Sequence, residues 1–129
     1  MLGTIRMRQE SYRSEFSQYC DVSLAGGAYG SYWPSSPTDR RGQAWGTPTE
    51  AGWAQLGVRP TSSVVYQYRV AAGAAGTMGA GVAASTLGYT GDEAWWAAQA
   101  RGDLDGDSTY SLFEATSFTS GVYSDQEIE

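Results

Sequence analysis

The chain has 129 residues and carries 8 basic against 14 acidic side chains, a net charge of −6 at pH 7. That balance argues against nucleic acid and against an anionic membrane surface, both of which call for a basic patch. All the basic residues are Arg; Lys, His and Asn are absent, which removes imidazole acid–base and lysine Schiff-base chemistry and suits a GC-rich genome.

The length fits one domain, residues 1–129, with one core. Cys20 is the single cysteine, so no internal disulfide can form. No stretch reaches the roughly 18 apolar residues of a membrane span, and no signal peptide is visible. Met1 opens straight into helical sequence, as a shortened, soluble piece of a longer protein would.

Leu2, Ile5, Gln9, Tyr12, Phe16 and Tyr19 recur at spacings of three and four. This predicts an amphipathic helix over 1–19, about 27 Å long, whose stripe needs a sheet or helix to cover it. Arg6, Arg8, Glu10, Arg13 and Glu15 fall on the opposite face. Residues 20–60 are rich in turn formers, with Trp33, Trp45 and Trp53 interspersed. They predict a long ordered loop pinned by Trp, with a short helix over 49–56. Tyr29, Tyr32 and Trp33 are candidate exposed anchors for a partner, with pinning of the loop as the alternative.

Ser63–Ala71 is the best strand, with Val64, Tyr66, Tyr68 and Val70 facing the helix. Gly73–Gly88 is low in complexity and reads as a flexible surface loop or irregular connection. Residues 93–101 carry helical Ala content and strand-like paired Trp. The turn that follows favours a strand, answered by a returning strand over 110–116. Residues 121–129 form a weak last strand and a charged tail. The fold class is therefore α+β: an N-terminal amphipathic helix on a small antiparallel sheet of three or four strands, with long Gly/Trp-rich loops. Its parts are 1–19 helix, 20–60 loop region and 61–129 sheet region.

The hairpin turn carries the densest chemistry. Asp103, Asp105, Asp107, Thr109, Ser111 and Glu114 stand at positions 1, 3, 5, 7, 9 and 12 of a twelve-residue run, the oxygen-ligand spacing of a Ca²⁺-binding EF-hand loop. Position 6 is Ser108 where such loops need Gly, and the sequence after Glu114 is a poor helix. The competing reading is a metal-free acidic turn held by Asx hydrogen bonds.

Three pieces resemble bacterial type IV pilins. Leu2-Gly-Thr-Ile5 with Gln9, Tyr12, Glu15 and Tyr19 is similar to the back half of their long N-terminal helix. Leu56-Gly-Val-Arg-Pro60 followed by Tyr66-Gln-Tyr-Arg69 is similar to their first sheet strand. Ala98 to Phe113, with Gly102-Asp-Leu-Asp-Gly-Asp107 inside it, is similar to their second hairpin. The prepilin cleavage site and the apolar helix that anchors those proteins have no counterpart here, nor does the C-terminal disulfide that many of them carry.

The resemblance implies a structural subunit of a type IV pilus or pseudopilus, with other pilin subunits as partners and, as the alternative to a severed anchor, a separate apolar helix or peptide. It places the chain at the surface or in the periplasm of a Gram-negative bacterium. Type II secretion pseudopilins share the fold and bind Ca²⁺ in an acidic C-terminal loop, so the resemblance also implies Ca²⁺ near residues 103–114. The expected role is non-enzymatic: Cys20 at a helix C-terminus is a poor nucleophile. The alternative is a secreted calcium-dependent module that binds carbohydrate or protein.

Overall fold

In the computed structural model, residues 1–24, 26–35, 41–79, 82–83, 89–103 and 110–125 are described, without the side chains of Tyr123 and Asp125. Helix α1 (Leu2–Phe16) is followed by helix α2 (Gly52–Leu56). Four strands come next: β1 (Gln67–Gly73), β2 (Trp95–Gly102), β3 (Ser111–Thr116) and β4 (Val122–Asp125). They form an antiparallel meander in the order β1-β2-β3-β4, and α1 packs on β2 and β3.

The helix is shorter than the predicted 1–19. Ser17 turns left-handed (φ 60°), and its N–H bonds back to the Arg13 carbonyl. The chain then doubles back under a clamp. The buried Gln9 amide donates from Nε2 to the Cys20 carbonyl (2.9 Å) and accepts at Oε1 from the Cys20 N–H (2.8 Å). Tyr19 is buried beyond the helix rather than on it.

The stripe is narrower too. Within α1 only Ile5 and Gln9 are buried, while Phe16 is 53% exposed and stacks on Tyr12 with ring centroids 4.5 Å apart. Arg6 does not stand in solvent on the opposite face. It lies 5.2 Å over the Trp96 ring and donates to the carbonyls of Thr116, Thr119 and Gly121, tying α1 to the β3–β4 turn.

Strand β1 begins at Gln67, four residues later than predicted, because Val64 is taken up in an isolated bridge with Gln43. Tyr68 and Val70 do face the helix side, in one cluster with Ile5, Trp96, Ala98 and Ala100. The outer edge of β1 is covered. Trp33 and Tyr68 exchange two backbone bonds of 2.7 Å, the Ser23 N–H and hydroxyl reach the Val70 carbonyl, and Asp21 Oδ1 accepts from the Ala72 N–H. An edge occupied in this way offers no template for another chain.

Both faces of the sheet are covered, which explains the ambiguous composition of β2. Trp96, Ala98 and Ala100 belong to the helix-side cluster, whereas Trp95 and Ala97 join Ala71 and Val82 on the far side. Period-2 alternation of apolar and polar residues fades when both faces are dry. The far-side cover includes described parts of the segment expected to be a surface loop. Thr77 Oγ1 accepts from Trp95 Nε1 (3.0 Å), and the Gly79 N–H bonds the Gly27 carbonyl (2.8 Å).

Candidate functional site

Of the six residues proposed for Ca²⁺, the structure describes Asp103, Ser111 and Glu114. Strand β2 ends at Gly102, which pairs with Ser111 at the start of β3, so β2 and β3 form the expected antiparallel pair. Asp105, Asp107 and Thr109 lie outside the described residues, and Asp103 is half-buried at their border. Ser111 and Glu114 are buried inside β3. Three residues apart on one strand, they point to opposite faces. The Glu114 carboxylate accepts from Gln99 Nε2 (2.9 Å). Among the described residues, no group of three or more His, Cys, Asp or Glu side chains is placed to hold a metal ion.

Glu114 belongs to a polar layer on the far face of the sheet. Register sets Arg69, Gln99 and Glu114 side by side across β1, β2 and β3. Gln99 relays between the charges: its Oε1 accepts from Arg69 (2.6 and 3.0 Å) and from the Tyr32 hydroxyl (3.3 Å), while its Nε2 serves Glu114. One step along, Arg101 Nε donates to Gln67 Oε1 (3.0 Å), and Gln67 Nε2 donates to the Pro34 carbonyl (2.7 Å).

Tyrosines from the 29–32 segment interleave with the arginines. The Arg69 guanidinium lies 4.3 Å from the Tyr29 ring centroid and 4.4 Å from that of Tyr32. Arg101 lies 4.0 Å from Tyr32 and 5.0 Å from Tyr110. Each such contact contributes about 0.5–2 kcal/mol, more as the pair is desolvated. Burial pushes the Tyr29 and Tyr32 hydroxyls up; the Glu114 charge adds to this at both, and the nearby arginines oppose it.

Tyr29, Tyr32 and Trp33 are therefore half-buried rather than exposed anchors. They hold the loop on the sheet, and Trp33 Nε1 donates to the Trp45 carbonyl (2.7 Å). Arginines and tyrosines far apart in sequence gave no local pattern for this layer. The alternation of Gln67 and Arg69 in the strand was the only trace.

Cys20 is sealed. It is 2% exposed, with Sγ 3.7 Å from the Gly52 carbonyl, and burial, then Asp21, push the thiol from 9.0 to about 11. The unfolded chain loses this proton first. Stability is thus full below pH 9 and falls as pH rises through about 11; Tyr68, pushed by burial and Tyr66 to about 12, acts in the same direction. At pH 8 Ellman's reagent should label the native thiol at least about a hundredfold more slowly than the urea-unfolded one. Equal rates would mean that Cys20 is open.

Among the described residues, no helix is long and apolar enough to cross a membrane. No protein-family model, no curated protein and no solved structure matches the chain.

Proposed function

We propose that the chain is the headgroup of a filament subunit of the type IV pilin kind, at the surface or in the periplasm of a Gram-negative cell. The observation that carries this reading is the bedding of α1. The helix lies on β2 and β3 through Ile5 and Gln9, is riveted to the β3–β4 turn by Arg6, and leaves its remaining face open, with Met7 59% and Phe16 53% exposed. A helix held rigidly along one side and apolar on part of the other suits assembly against copies of itself. The far-face layer of arginine and tyrosine then stiffens the body that such a filament would display.

The test is made in the producing cell. Sheared surface filaments should contain this chain. Met7→Glu should reduce their yield about tenfold, roughly the 1.4 kcal/mol that one disrupted apolar contact between subunits costs, while the melting of the purified headgroup stays within about 0.5 kcal/mol of the parent. Filaments without the chain, or assembled at full yield with Met7→Glu, would remove the reading.

A further inference from the structure

The seam between α1 and the sheet is open at the N-terminal end of the helix. Leu2 there borders a groove of about 330 Å³ whose other walls include Tyr66, Ala100, Phe113 and Val122. Ala100 belongs to the helix-side cluster, and Tyr66 and Phe113 pack against it. Val122 on the rim is 54% exposed. An apolar cavity of about 150 Å³ is enough to hold a benzene ring, so this groove has room for an aromatic side chain.

The other end of the seam carries the converse feature. Phe16 follows Leu2, Ile5, Gln9 and Tyr12 on the stripe that faces the sheet, about 21 Å along the helix from Leu2. It is nevertheless 53% exposed. A cleft of about 450 Å³, lined among others by Tyr12, Ser17, Ala72 and Ala94, parts this end of the helix from β1 and the start of β2. Tyr12 stacks on the Phe16 ring at 4.5 Å, so the ring stands as a supported apolar knob.

Charge follows the same axis. The groove shares Met1 with a wider one of about 610 Å³, lined by Arg8 and Arg59 and by no described carboxylate. Arg8 and Glu15 are both exposed. Seven residues apart, they share one flank of α1. A copy displaced along the helix axis until its Phe16 enters the groove therefore carries its Glu15 towards Arg8 and Arg59. One displacement serves the apolar contact and the charged one together.

We infer that the groove bounded by Leu2, Tyr66, Phe113 and Val122 takes Phe16 of a second copy of this chain, with Glu15 of that copy set against Arg8 and Arg59. An aromatic side chain seated in a pocket is a common anchor of protein interfaces. Knob and groove are different surfaces, so the contact is heterologous. Every assembly keeps a free knob at one end and a free groove at the other, and it continues as an open stack. The contact deepens the filament reading and rests on it only for its setting in the cell.

The purified chain should stack as its concentration rises to about 1 mM, its average mass in sedimentation equilibrium passing twice that of the monomer without a plateau. Phe16→Ser and Val122→Glu should each weaken the association at least about tenfold. Both positions are exposed, and an unchanged urea midpoint shows that each variant is folded. Their mixture is the decisive sample. Phe16→Ser keeps its groove and Val122→Glu keeps its knob, so the two together should form dimers and stop there, while each alone stays monomeric. A parent chain still monomeric at the highest concentration overturns the inference, as does one that stops at the dimer. A mixture that stays monomeric also overturns it, and leaves the filament reading to its own test, since Met7 is no part of this contact.

Discussion

Replacing Gln9 with Leu should lower stability by about 3 kcal/mol, read as a shift in the urea midpoint at constant slope. Leu fills the space of Gln and keeps the helix, because both are good helix formers. What it removes is one donor and one acceptor that together satisfy both peptide groups of Cys20, at 2.9 and 2.8 Å. Gln9 and Cys20 are 0% and 2% exposed, so water cannot substitute. Each stranded peptide group costs about 1–3 kcal/mol, against which the transfer gain of a buried Leu offsets only part. Gln9→Glu separates the two contacts by protonation: the neutral acid can still serve both Cys20 groups, whereas the carboxylate keeps an acceptor for the N–H and loses the donor to the carbonyl. Its loss should grow with pH as the buried acid ionises. A loss below about 1 kcal/mol for Gln9→Leu would show that the clamp is ornamental and that α1 ends at Ser17 for local reasons alone.

Gln9 also shows where sequence reasoning reaches and where it stops. Its place on the stripe is plain from 3.6-residue periodicity, and so is the helix. That a polar residue sits in the stripe in order to catch the chain eleven residues later follows from no local rule. The strands of the meander were legible from β-branched and aromatic runs between Gly-rich breaks, and the β2–β3 hairpin from its acidic turn. The far-face layer was not. Arg69 meets Tyr29 and Tyr32 only because the 29–32 segment folds over β1, and nothing in period or composition announces that fold. The strand positions of Ser111 and Glu114 were hidden for a related reason. A twelve-residue ligand pattern and a strand of period 2 can share the same residues, and pairing with β2 places Ser111 and Glu114 in a strand. The buried, unpaired indole N–H groups of Trp45, Trp53 and Trp96 are equally silent in sequence, where all Trp residues look alike until their neighbours are known.

Substituting Ala for Gly52 should destabilise the protein by about 2 kcal/mol, even though Ala is the better helix former by about 1 kcal/mol. A methyl group on Gly52 would stand 2.7 Å from the Val22 carbonyl oxygen and 2.9 Å from its carbon, and nearer still to the Val22 Cα. These are backbone atoms and cannot rotate away. Val22 is 0% exposed, and its neighbour Ser23 is fixed to the Val70 carbonyl through both N–H and hydroxyl. Either α2 moves outward, pulling the Gly52 carbonyl from Cys20 Sγ, or the edge bonds of β1 stretch. Gly3 provides the opposite case inside α1: a methyl there meets nothing within 4 Å, so Gly3→Ala should stabilise by about 0.5–1 kcal/mol. The two substitutions are chemically identical and differ only in what faces the new carbon. Urea titrations should therefore move in opposite directions. A gain at both positions would mean that α2 is free to slide off Val22, and that the Gln9–Cys20–Gly52 junction does not lock the loop region to the helix and sheet.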